Sequence, residues 1–124
     1  MKANELMFGD WVLCEGQPTP SNVTIQTIAE DGVWFIGDKF EGAASYDRIF
    51  PIPITPDILE KNGFQCKGVW MIEGEDIGVK QCANEWALLP YYADYNGLPF
   101  CNIKYVHELQ HSLRLCGIDK EITI

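Results

Sequence analysis

Basic residues are scarce in this chain of 124: 9 Lys and Arg stand against 18 Asp and Glu, a formal net charge of -9. No run of Lys or Arg is long enough to track a phosphate backbone. Because neutralised phosphates supply most of the affinity for nucleic acid, direct nucleic-acid binding is disfavoured and a basic protein partner fits better. Long apolar runs are missing too. No segment approaches a membrane span, and the opening MKANELMFGDW holds no stretch of signal-peptide length. Cys14, Cys66, Cys82, Cys101 and Cys116 form an odd set with wide gaps and no C-x-x-C pair. That spacing excludes the usual zinc and redox arrangements and leads us to expect a cytoplasmic protein with buried, unreactive thiols. G-x-G-x-x-G, G-x-x-x-x-G-K-[ST] and G-x-S-x-G do not occur, so nucleotide and serine-hydrolase readings have no anchor.

What is present suits a folded domain, since 47% of the residues are apolar. DWVLCE, SNVTIQTIAE and GVWFIG carry the Val, Ile, Thr and Trp of strands, and Asp31-Gly32 between the last two marks a tight hairpin. With SYDRIFPIPIT they give four or five strands in about fifty residues, the spacing of a small SH3-like barrel. Pro51 and Pro53 then keep the chain extended. Thr55 as cap, Pro56 at the first helical position and Gly63 as terminator predict a short helix over 56–62. Strands resume at GVWMIE, IGVKQCA, EWALLPYY and LPFCNI, followed by a helix over 105–116 capped by Gly117, with EITI as a last strand. The expected class is α+β, mainly antiparallel sheet, with the C-terminal helix packed on it. Residues 1–124 read as one compact domain, or as two small lobes, 1–55 and 56–124, sharing a core.

The C-terminal helix spells His107-Glu108-Leu109-Gln110-His111, an H-E-x-x-H pattern. Imidazoles at i and i+4 can converge on one zinc ion while the glutamate between them positions a water for attack. At about 100° per residue, Tyr105, Val106, Leu109, Leu113 and Cys116 share one face while His107, His111 and Arg114 gather opposite. That is also the pattern of a helix whose histidines face water, which is the reading preferred here; zinc with His107 and His111 as ligands and Glu108 as base is the alternative. The neighbourhood resembles the zincin helix over about ten residues, with uncharged Leu109, Gln110 and Ser112 and apolar Leu113. It departs at Arg114, where the metzincin pattern has glycine, and at Gly117, where it has the third histidine. Only Asp119 and Glu121 follow as carboxylates.

A second resemblance spans more of the chain. PIPITPDILEKNGF and YVHELQHSLRLCGIDKEI resemble segments of small uncharacterised proteins encoded in prophage and mobile-element regions of gut bacteria. The resemblance implies an accessory protein of a mobile element and brings no activity with it.

Three further groups bear on recognition. Tyr91, Tyr92 and Tyr95 in PYYADYNG form the candidate binding surface, because tyrosine offers apolar area and a hydroxyl with few torsions to immobilise. Trp11, Trp34, Trp70 and Trp86 fall inside predicted strands and are assigned to core packing. Glu73, Glu75 and Asp76 sit in a glycine-flanked turn as solvated charges. The function expected is therefore that of a protein-binding accessory module without catalysis and without cofactor. A minimal zinc hydrolase is the alternative, and an acidic inhibitor mimicking nucleic acid a further one.

Overall fold

The computed structural model describes residues 1–16, 20–72, 74–75, 77–90 and 101–124. The β-branched and aromatic runs of the first half become β1 (Trp11–Cys14), β2 (Ser21–Ile28) and β3 (Gly32–Ile36). β4 (Glu41–Ser45) continues the meander, and after a 3-10 turn at Tyr46–Arg48 the short β5 (Ile49–Phe50) returns to pair with β1. Every pairing is antiparallel, and the order β4-β3-β2-β1-β5 curls into a half-barrel in the N-terminal half, where the sequence predicts a small SH3-like barrel. A register shift between Ile25 and Thr27 places a bulge at Gln26, and bulges increase local twist. The β2–β3 hairpin turns through Glu30-Asp31, with the Ala29 N–H donating to the Gly32 carbonyl at 2.9 Å. Glycine is required at 32 because a Cβ there would lie 2.3 Å from the Ala44 oxygen. Alternate residues point inward, so Val12, Val23, Ile25, Val33, Phe35 and Ile49 form a buried cluster with Leu6 and Cys14.

The second half opens on α1 (Pro56–Lys61), which starts and stops as its sequence predicts. The Thr55 hydroxyl accepts from the Ile58 N–H at 3.3 Å, and Gly63 follows at φ 84°. A second antiparallel sheet contains β6 (Phe64–Cys66), β7 (Trp70–Ile72), β8 (Ile77–Cys82), β9 (Glu85–Pro90) and β10 (Cys101–Ile103), paired in reverse chain order. α2 (Val106–Leu115) lays Val106, Leu109 and Leu113 against this sheet and α1, in a core that includes Leu59, Phe64, Val79, Trp86 and Leu88. Burial of each such side chain contributes about 1.5–3 kcal/mol. Gly117, at φ 73°, ends α2 as expected. Asn62 then ties down the segment beyond it: its amide donates to Ile58 O at 2.8 Å and Thr123 O at 2.7 Å, and its oxygen accepts from Thr123 N at 2.7 Å.

The architecture is thus α+β and mostly antiparallel. Among the described residues no helix is long and apolar enough to cross a membrane. Several local expectations need correction. EGAAS and FQC form strands although neither carries a β-branched residue, because each is recruited as the edge of an existing sheet; EITI forms none, its Ile122 and Thr123 being held by packing and by Asn62. Trp86 is buried and Trp11 and Trp70 are half-buried, but Trp34 lies 44% exposed, on the outer face of β3. Of the five cysteines, all free thiols, only Cys14 is buried, where desolvation raises its pKa; the other four lie on strand ends and turns at the surface.

Candidate functional site

The H-E-x-x-H residues occupy the first turn and a half of α2, and local chain requirements explain the glutamate. Tyr105 is the N-cap, so Glu108 is the third helical residue, where a carboxylate can reach back to unpaired N–H groups. Its Oε1 accepts from the backbone N–H of Lys104 at 3.0 Å and of Tyr105 at 3.1 Å. Glu108 therefore closes the helix start through Oε1.

His111 is held by a residue that the motif does not include. Its Nε2 lies 2.7 Å from Oδ2 of Asp10, which is fully buried at the turn leading into β1. The same oxygen accepts from the Met7 N–H at 2.7 Å, and Arg114 Nη1 stands 3.7 Å from Oδ1, which makes no hydrogen bond. One residue back, Gln110 accepts from the Trp11 N–H at 2.9 Å and donates to the Gly9 carbonyl at 3.0 Å. Arg114 Nη2 donates to the Phe8 carbonyl at 3.1 Å. The polar face of α2 is therefore a clamp on residues 7–11, and it fastens the half-barrel to the helix and its sheet. The expectation that this face meets water holds for Arg114, which is exposed, but not for His107, which is buried, or for His111, which is half-buried. Gln110 is buried and His107 is only 5% exposed, with residues 4–11 of the N-terminal half beside them.

His107 stacks on Tyr105, with ring centroids 5.9 Å apart, and meets His111 edge to face at 5.6 Å. Its Nδ1 is buried without a hydrogen bond. Burial holds its pKa below the ordinary imidazole value, opposed by the negative charges of Asp10 and then Glu108. The unfolded chain binds the proton more readily, so stability is full above pH about 6.5 and is lost as pH falls from there through the lowered folded value. Denaturant melts of the wild type should weaken between pH 7 and pH 5, and His107→Phe, which keeps an aromatic ring on Tyr105, should flatten that dependence. An unchanged slope would mean that folding does not lower the proton affinity of His107.

Beside these rings a cleft of about 420 Å³ is lined by Asn4, Glu5, Pro51, Tyr105, Glu108 and the two histidines. Zinc in a hydrolase takes three protein ligands and one open position. Among the described residues no three His, Cys, Asp or Glu side chains group as a metal set, and the nitrogen that His111 would offer is occupied by Asp10. The Ser112 hydroxyl donates to the Glu108 carbonyl at 2.8 Å, within the helix. The arrangement joins the two sheets.

The structure thus brings His107, His111 and Arg114, already placed on one helix face, together with Asp10 and Gln110, whose part motif reasoning missed. The available signal was the density of hydrogen-bonding side chains at positions 107, 110, 111 and 114 of one helix. Tyr91, Tyr92 and Tyr95, with Glu73 and Asp76, lie outside the described residues. A different aromatic surface is visible instead, on the half-barrel. Trp34 and Ile36, 44% and 41% exposed, stand on the outer face of β3, where β4 offers only Ala43 and Glu41 opposite them. Compared with protein-family models, curated proteins and solved structures, the chain matches none.

Proposed function

We propose that the chain is a non-catalytic accessory module that works by binding another protein, in the cytoplasm and in the service of a mobile element. The last two points rest on the resemblance carried by PIPITPDILEKNGF and YVHELQHSLRLCGIDKEI. The observation that carries the binding reading is the exposure of Trp34 beside Ile36. Tryptophan brings a large apolar area with few torsions to fix, which makes it a frequent centre of protein interfaces. Neither side chain supports the half-barrel core, which is filled from the other face by Val33 and Phe35. The engagement of Glu108 and His111 in holding the fold together favours the same reading over hydrolysis.

A photo-reactive residue at position 34, introduced in the native cells, should give one discrete protein adduct, and the same residue at the 88% exposed Leu115 should not. The reading fails if position 34 gives no adduct. If, in addition, untagged protein carries about one zinc per chain that His111→Ala removes, metal-dependent hydrolysis takes its place.

A further inference from the structure

We infer that the open edge of β4 is where the partner binds, as an added β-strand, and that the partner segment is extended and basic. This deepens the protein-binding reading and rests on it. β4 is the terminal strand of the half-barrel sheet, and among the described residues nothing pairs with its outer side. Its hydrogen-bond parity follows from the two hairpins. The Ala29 N–H bonds to Gly32 O on the β2 side, and the Gly37 N–H bonds to Phe40 O on the β4 side. Alternation along an antiparallel pair then makes Val33–Ala44 and Phe35–Gly42 the hydrogen-bonded pairs. Gly42 and Ala44 spend their backbone groups on β3. Glu41 and Ala43 point theirs outward, as does the Ser45 N–H, while the Ser45 carbonyl caps the 3-10 turn; all three residues are exposed.

Sheet edges of monomers are ordinarily blunted by Lys, Pro or a bulge. EGAAS has no Lys and no Pro, and its register with β3 is continuous. Small side chains also leave room on both faces. A cleft of about 370 Å³ beside Trp34 and Ala43 lies on one side, and one of about 310 Å³ beside Phe35, Phe40 and Arg48 on the other. Side chains of an added strand point alternately to the two faces, so each row has a place to go. Charge selects the occupant. Exposed Glu30, Asp31, Asp38, Glu41 and Asp47 surround the edge against Lys39 and Arg48, which favours a basic segment and opposes a second copy of this acidic chain.

The test uses a synthetic ten-residue peptide alternating Val with Lys, added to the intact protein and followed by amide NMR and hydrogen exchange. Binding should protect the amides of Ala43 and Ser45, a peptide with Glu in place of Lys should bind at least tenfold more weakly, and Ala43→Pro should lose at least tenfold. Proline there removes an outward N–H without touching a bond to β3. If Ala43→Pro does not fold, Glu41→Lys, an exposed change, should still weaken binding at least threefold. Absence of peptide binding at millimolar concentration overturns the inference. So does binding that Ala43→Pro and Glu41→Lys leave intact, or a dimer of the protein alone that either variant dissolves. Any of these with the adduct at position 34 retained leaves the protein-binding reading standing and removes only the edge.

Discussion

Replacing Asp10 with alanine is expected to lower the free energy of unfolding by about 3 kcal/mol, the range for breaking a buried ion pair or orphaning the groups around it. The carboxylate is 0% exposed and receives both the Met7 N–H and His111 Nε2 at 2.7 Å. Without it the Met7 N–H and the His111 ring lose their acceptor at the seam between α2 and residues 7–11. His111→Ala is expected to cost about 1–3 kcal/mol for the same reason, where a histidine facing water would cost under about 0.5. Melts of the two single variants and the double variant decide the matter. The double should lose less than the sum of the singles, and strict additivity would show that Asp10 and His111 do not act on each other.

Leu109→Ala should cost about 2–4 kcal/mol, from lost transfer energy and the cavity left between α2, α1 and the second sheet. Leu109 is 1% exposed and lies in a core with Leu59, Trp86 and Val106. Its neighbour Glu108 supports the helix by end-capping alone, so Glu108→Ala should cost only about 1 kcal/mol. A chevron or equilibrium melt giving the two variants equal losses would place the core on the wrong face of the helix.

How much of this was legible in the sequence depended on how local each cause was. α1 could be read to its ends because Thr55, Pro56 and Gly63 act within a few residues of one another. The buried face of α2 could be read because Val106, Leu109 and Leu113 repeat at helical spacing. β3 was visible as a strand but its faces were not: Val33, Trp34, Phe35 and Ile36 are all apolar, so the pattern contains nothing to say which alternate pair is turned outward. β4 escaped because Gly42, Ala43 and Ala44 have no strand preference of their own and pair only because β3 is already in place. The reading of His107 and His111 failed for a longer-range reason. Helical geometry correctly put them opposite the leucines, but nothing local announces that Asp10, 101 residues away, will cover that side. Polar periodicity marks the side of a helix that avoids apolar packing; it does not distinguish water from a second polar surface.

The clamp between α2 and residues 7–11 also has a consequence in time. Gln110 and Gly9 are separated by 101 positions, and the half-barrel ends at Phe50, so at translation rates of about 5–20 residues per second it is made roughly three to twelve seconds before its partner helix exists. Throughout that interval Asp10 has the Met7 N–H but not His111, and Trp11 lacks the Ile122 carbonyl to which its indole later donates. The nascent chain carries an unfinished seam, and folding of the whole waits on the arrival of the segment that spells HELQH.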